Sequence, residues 1–298
     1  MTHVATLICN PAHPILDDSV IARVRDAVDG AGAAEWLADG IAADIPITAP
    51  VDDPKPLTAR ARERLGDAPV DIVVQRAQGR RKRLLIADMD STMIQQECID
   101  ELADYVGLRA HIAAITERAM RGEIAFEPAL RERVALLKGL PVAVIDEVIR
   151  ERIVPMPGGR ALIATMRANG AHTCLVSGGF VNFVDRVAAM IGFDAAHGNR
   201  LERDGNVLSG VVTEPILGRE AKLETLNALR EQFQLGRDET IAVGDGANDL
   251  AMLGEAGIGV AYRAKPAVAA AAAARIDHGD LTALLYLQGY RREEFVGA

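Results

Sequence analysis

Two carboxylates one residue apart, Asp88 and Asp90, close the apolar run Leu84-Leu85-Ile86-Ala87, and the hydroxyls of Ser91 and Thr92 follow directly. The run has the length of a buried strand. At the carboxyl end of a parallel strand the two acids point into the crevice where open α/β sheets bind ligands. They repel each other there unless something neutralises them. A hard divalent cation does so with oxygen ligands, and it invites a phosphate ester as its partner. The same residue types also cap helices and make turns, so the downstream chain has to decide between the two readings. Ser177-Gly178-Gly179 lies between a strand and a helix start, where a hydroxyl and bare N–H groups form either an anion site or an ordinary cap. Lys222 alone reads as a solvated helix lysine, and in company as a point charge for phosphoryl oxygens. Gly244-Asp245-Gly246 lacks the spacing of a dinucleotide fingerprint, but with Asn248-Asp249 it brings two more carboxylates to a second strand end.

Those residues need a frame. From Arg83 onward, strands at 84–87, 172–176, 240–243 and 258–260 alternate with helices at 160–168, 181–190, 220–232 and 250–256. Such alternation predicts an α/β fold with a doubly wound parallel sheet, Rossmann-like in plan. Four amphipathic pieces, at 97–106, 110–121, 126–138 and 142–154, stand between the first and second strands. They predict a helical cap inserted at about 94–157, with Pro155-Met156-Pro157-Gly158-Gly159 as its hinge. Asp204-Gly205-Asn206 marks a hairpin within 201–212. The alanine run at 269–274 predicts a surface helix that ends at Arg275.

Residues 1–80 have their own rhythm of strand, helix, strand, helix and strand, a small α+β domain. Its strands are expected at 4–9, around 34–47 and at 70–74. Its first helix is capped by Asp17 or Asp18, and its second runs over 57–65. Residues 81–298 make the second domain. A net charge of -9 argues against a nucleic-acid binder. The basic run Arg80-Arg81-Lys82-Arg83 therefore reads as a solvated linker. No apolar run approaches a membrane span and no leader pattern opens the chain. Cys9, Cys98 and Cys174 form no CxxC pair, which predicts buried reduced thiols and a cytoplasmic protein.

Taken in order, Asp88 to Thr92, Ser177, Lys222 and Gly244 to Asp249 resemble the four motifs of the haloacid-dehalogenase-like hydrolases, over roughly residues 83–290. Glu97, Phe126-Glu127, Leu130 to Val134 and Val176 to Phe180 are similar to the phosphoserine phosphatases within that superfamily. The resemblance implies that Asp88 is the nucleophile and becomes an aspartyl-phosphate, with Asp90 as general acid and then base. It implies Mg²⁺ held by Asp88, Asp245 and the carbonyl of Asp90, with Asp249 behind them. Ser177, Gly178 and Lys222 would grip the phosphoryl oxygens, Glu97 the substrate ammonium and Arg133 its carboxylate. Asn248, Met120 and Phe126 match further substrate positions, and Met89 stands where an aromatic is commoner. The expected activity is hydrolysis of O-phospho-L-serine, a small phosphomonoester, as the last step of serine biosynthesis. The alternative is action on a sibling such as phosphohomoserine, including transfer to an acceptor alcohol. A phospho-aspartate switch is a reading of another class, and Asp90 with a full lid argues against it. The N-terminal unit resembles an ACT-like domain, which implies an amino-acid ligand or self-association there.

Overall fold

The computed structural model describes residues 2–297. The first domain contains strand β1 (His3–Cys9), helix α1 (Asp18–Arg25), strands β2 (Glu35–Ala38) and β3 (Ala42–Ile47), helix α2 (Pro54–Leu65) and strand β4 (Val70–Arg76). The strand-like piece expected around 34–47, interrupted by Gly40, is a hairpin that turns there, with Gly40 in the left-handed region. The order is therefore βαββαβ, and the antiparallel sheet runs β2-β3-β1-β4. Period-2 alternation divides its faces. Leu7, Ile45, Ile72 and Val74 meet Val20, Ile21 and Val24 of α1 and Leu57, Ala61 and Leu65 of α2. Ile8, Ala42 and Val73 on the opposite face join the core of the second domain. Asp17 caps α1 by accepting from the Val20 N–H at 2.8 Å.

The second domain opens with β5 (Leu84–Ala87), all four residues fully buried. Four helices follow: α3 (Cys98–Asp104), α4 (Arg109–Met120), α5 (Phe126–Leu136) and α6 (Ala143–Glu151). Then come α7 (Gly159–Ala168), β6 (His172–Phe180), α8 (Val181–Ile191), β7 (Ala195–Asn199) and the hairpin β8 (Leu201–Asp204) and β9 (Val207–Val212). The chain finishes with α9 (Arg219–Gln232), β10 (Thr240–Gly244), α10 (Leu250–Glu255), β11 (Ile258–Tyr262), α11 (Pro266–Ala271), β12 (Ala274–Ile276) and α12 (Ala283–Leu287). The main sheet is β12-β11-β10-β5-β6-β7, with every pair parallel. From β5 the chain builds outward through β6 and β7, then returns to the other side of β5 with β10, β11 and β12. The strand order thus reverses between β5 and β10, and the loops after these two strands flank the crevice.

Both faces of the sheet are covered, which is why β5 reads as an unbroken apolar run. Leu85 and Ala87 join one cluster with α7, α8 and α12, while Leu84 and Ile86 join another with α9, α10 and Val268 of α11. Helices α3 to α6 form the inserted cap. Its two connections to the sheet run side by side: Gln95 N–H donates to the Val154 carbonyl and Met156 N–H to that of Met93.

Three expectations need correction. The alanine helix stops at Ala271, because Ala274 pairs with Val260 as the start of β12. The strand expected to end at 176 runs on through Ser177-Gly178-Gly179 to Phe180 as the irregular end of β6, whose pairing with β7 shifts register between Val176 and Phe180. The basic run is not a solvated linker. Arg80 is largely buried and pairs with Asp44 at 2.5 Å, while also donating to Thr6 Oγ1 and to the carbonyls of Tyr286 and Leu287. Buried Lys82 donates to the Gly79 and Asp238 carbonyls, and Arg81 lies over the Tyr290 ring. Through Arg80 the run ties the two domains together, while Arg81 and Arg83 stay partly exposed and pair with Glu294 and Glu239. All three cysteines are buried and unpaired. Among the described residues no helix is long and apolar enough to cross a membrane.

Candidate active site

The last residue of β5 hands directly to Asp88, whose Oδ1 accepts from the Met89 N–H at 2.8 Å. Met89 is fully buried beneath it. Ser91 has φ of +55°, a left-handed conformation unusual for a side chain other than glycine. This turn folds the chain back so that the Cys98 N–H, at the start of α3, donates to Asp90 Oδ1 at 3.0 Å. From β6, Gly179 lies so close that a Cβ there would stand 2.9 Å from Asp90 Oδ2. A side chain at this position would push the Asp90 carboxylate from its place.

From the far side of the switch point β10 delivers Asp245, which accepts from Thr92 Oγ1 at 3.0 Å. The 3-10 turn Ala247–Asp249 follows, and Asp249 Oδ2 accepts the N–H groups of Asp245 and Gly246. Gly244 is required here too, since a Cβ on it would collide with the Asp249 carboxylate. Lys222 on α9 is fully buried and donates to Asp88 Oδ1 and Asp249 Oδ1, each at 2.7 Å. It is not the solvated lysine of the isolated reading.

The charges do not balance. Asp88, Asp90, Asp245 and Asp249 face one ammonium. Burial, and then Asp249, push the Asp88 carboxyl up to about 7 despite Lys222. Burial, Asp249 and Asp88 push Asp245 well above the carboxylate range. Burial opposes the charge on Lys222, yet Asp249 and Asp88 outweigh it and leave Lys222 above its ordinary value. Carboxylate oxygens of Asp88, Asp245 and Asp249 lie within 4.8 Å of one another. Hard oxygen donors with surplus negative charge, buried together, fit a divalent cation.

Above the strand ends lies a cavity of about 50 Å³, lined by Asp88, Asp90, Glu97, Arg133, Ser177 and Asn248 with Phe126, Met120 and Thr116. Floor residues come from the sheet, and roof residues from the cap. Phe126, at the start of α5, closes over Gly178, where a Cβ would stand 2.5 Å from its ring. Ser177 Oγ, almost fully buried, accepts from the Gly179 N–H at 2.8 Å. Lys222, Asp245 and Asp249 stand behind Asp88 rather than in the cavity wall. The structure therefore brings every sequence-predicted site residue to one locus, in two tiers.

Arg133 on α5 is 5% exposed. Its Nε donates to the Ala129 carbonyl at 3.1 Å and Nη1 to Thr116 Oγ1 at 2.9 Å. Thr116 in turn donates to Asp100 Oδ1 at 2.9 Å. Burial holds the guanidinium below its ordinary value, against the pull of the surrounding carboxylates, Glu97 and then Asp100, none of which forms an ion pair with it among the described residues. Glu97 accepts from Ser91 Oγ at 2.5 Å. Burial, then Asp90, then Asp245 push its carboxyl well above the usual range, which leaves it short of a cation. The sequence did not single out Thr116 or Asp100, because a threonine on an amphipathic helix carries no signal of the arginine it steadies. Nor did it show the Cys98 N–H on Asp90.

The family model of the haloacid dehalogenase-like hydrolases matches residues 85–254. The chain is 43% identical over 219 residues to a phosphoserine phosphatase of Mycobacterium tuberculosis, covering 74% of this chain and 53% of that protein. It thus spans about half the length of that relative. With the phosphoserine phosphatase of a Polaromonas species it shares 46% identity over 210 residues, 69% of this chain and 89% of that one. A solved haloacid-dehalogenase family hydrolase from Salmonella enterica serovar Typhi superposes with a TM-score of 0.84 at 30% identity, covering 96% of this chain and 98% of the other.

Proposed function

The chain belongs to the haloacid dehalogenase-like hydrolases, and from that premise we propose that it hydrolyses O-phospho-L-serine to L-serine and phosphate. One observation carries the proposal. The cavity that holds Asp88, Asp90 and Ser177 also holds a buried arginine and a glutamate lacking a cation, Arg133 and Glu97. A phosphate, a carboxylate and an ammonium on one small molecule answer all three features. Arginine suits the carboxylate because its planar fork binds both oxygens. The likeness to phosphoserine phosphatases supports the same reading.

In this mechanism Asp88 attacks phosphorus as the bond to the serine oxygen breaks, giving an aspartyl-phosphate. Asp90 donates its proton to the departing alkoxide, then takes one from the water that cleaves the acyl-phosphate. Burial raises the proton affinity of Asp90, which suits an acid that must begin protonated. Ser177 and the Gly178 backbone hold phosphoryl oxygens, and Lys222 fixes Asp88 while offsetting charge as it redistributes. Mg²⁺, which Asp88, Asp245 and the Asp90 carbonyl would hold with Asp249 orienting them, would supply charge neutralisation at the phosphoryl group. Phe126, Met120 and Asn248 close the site and exclude water.

The reaction we assign is the last step of serine biosynthesis, and unpaired cysteines favour the cytoplasm as its compartment. We read residues 1–80 as an ACT-like domain that binds an amino acid or self-associates, on the strength of its βαββαβ order. The test of the activity is phosphate release with Mg²⁺ across phosphoserine, phosphothreonine, phosphohomoserine and glycerol phosphates. Phosphoserine should give the highest kcat/KM. A higher value for phosphohomoserine would move the assignment to that substrate, and equal values throughout would remove the roles of Glu97 and Arg133.

A further inference from the structure

Far from the catalytic cavity, α2 and the segment from α11 into β12 enclose a cleft of about 210 Å³. It forms where two sheet edges meet. β4 is the outer strand of the first sheet and β12 that of the second. No backbone ladder joins them among the described residues. Instead the Asp71 carboxylate on β4 accepts the N–H groups of Asp277, His278 and Gly279, just beyond β12, at 2.8–3.3 Å.

Ile72 and Val74 floor the cleft, and alanines of 269–274 line one wall. Its ionisable lining consists of cations alone, Lys55 and Arg62 from α2 and Arg275 from β12. The chain around it carries a net charge of -9. Arg275 pairs with Asp277 at 2.5 Å, and the Asp71 oxygens are taken by backbone donors. Arg62 has no hydrogen bond or ion pair among the described residues. Burial disfavours its charge and Arg275 adds to the penalty, while Asp277 and Asp71 offset part of it. Two guanidiniums from different domains, lining one half-enclosed space that has no carboxylate in its lining, are complementary to an oxyanion. The methyl-rich floor and wall suit a short hydrocarbon beside it.

We infer that this cleft binds a small organic oxyanion, a carboxylate or phosphate bearing a short aliphatic part, which Arg62 and Arg275 hold between the two domains. Sodium butyrate and inorganic phosphate serve as probes, titrated calorimetrically into the full chain. Butyrate should bind once per chain, and Arg62→Gln should weaken it by roughly tenfold, the scale of one charge-assisted contact. Arg133→Ala, which removes the guanidinium of the catalytic cavity, should leave butyrate binding intact. Phosphate is titrated into Ser177→Ala with and without Arg62→Gln, to separate the cleft from the catalytic cavity. Arg62-dependent binding of butyrate alone assigns the cleft to carboxylates, of phosphate alone to phosphates, and of both to oxyanions in general. Binding that ignores Arg62, butyrate binding lost with Arg133 instead, or no saturation up to about 20 mM overturns the inference. Arg62→Gln lies on a partly exposed helix face away from the catalytic cavity, so its turnover should match wild type and certify its fold.

Discussion

Replacing Arg133 by alanine tests the proposed substrate more sharply than any loss of the nucleophile could. Two of its five N–H groups are committed to Ala129 and Thr116, which leaves three for a ligand. A substrate carboxylate enclosed beneath the cap would be stranded without them. Truncating one partner of such a buried charged pair costs about 2–5 kcal/mol, or roughly 30-fold to several thousand-fold in kcat/KM. Para-nitrophenyl phosphate has neither carboxylate nor ammonium, so the same change should alter its rate little. Its baseline should be poor, since it cannot use those contacts to hold the cap closed. Glu97→Gln is the companion variant: it keeps the size and removes the charge that would meet the ammonium. The assay is the ratio of kcat/KM for the two substrates in wild type and in each variant. An equal fall for both substrates would show that Arg133 and Glu97 hold the cap rather than an amino acid. The phosphoserine reading would then fail while the hydrolase family stood.

Thr116→Val should raise KM for phosphoserine about tenfold with little change in kcat, because one hydrogen bond that aims Arg133 is lost. Thr116→Ser should restore it, and an unchanged KM would show the contact to be structural only. Asp88→Asn should lower turnover by more than ~10⁴-fold in steady-state assays, and retention of a few per cent would remove Asp88 as nucleophile. Stability in chelator should also respond to pH. Asp88 rises from 3.8 to about 7 on folding, so the folded chain holds that proton more tightly than the unfolded chain. Its contribution is favourable below about 4 and is lost as pH climbs to about 7. Melting temperature against pH should thus fall less steeply in Asp88→Asn than in wild type, and parallel curves would refute the linkage. Arg80→Ala leaves Asp44 unpaired in a largely buried interface. It should cost about 3–5 kcal/mol in urea unfolding, and a loss below about 1 kcal/mol would mean that water replaces the pair.

The catalytic locus was legible because its residues are local signals at strand ends. Leu84 to Ala87 is apolar throughout since both sheet faces are covered, and Asp88 and Asp245 each come directly after a strand end. The lid was legible from its four amphipathic periods and the glycines between them. Elsewhere the governing partner lies far along the chain. Helix propensity carries the alanine run to Ala274, but pairing with Val260 claims that residue for the sheet. Four residues of β2 were too few to separate from β3 by pattern. A run of four basic residues looks solvated until Asp44, Tyr286 and Leu287 come to meet Arg80. Thr116 is the same case on a smaller scale, since its meaning lies in Arg133.

The clamp at Arg80 also bears on how the first domain relates to the lid. Asp71 binds the backbone of 277–279, Arg80 binds the carbonyls of Tyr286 and Leu287, and Gln75 donates to the latter as well. Between those anchors, the Leu281 N–H donates to Pro157, in the linker that returns the cap to the sheet. Gly158 beside it tolerates no side chain, because a Cβ there would stand 2.6 Å from the Thr282 nitrogen. One short segment after β12 therefore carries both the docking of the first sheet and the seat of the lid linker. Packed interiors transmit strain, and here the docking of the first sheet and the contact to Pro157 share one packed segment. The second domain alone contains every residue proposed as catalytic, yet the linker that returns its cap to the sheet rests on a surface that the first domain helps to hold.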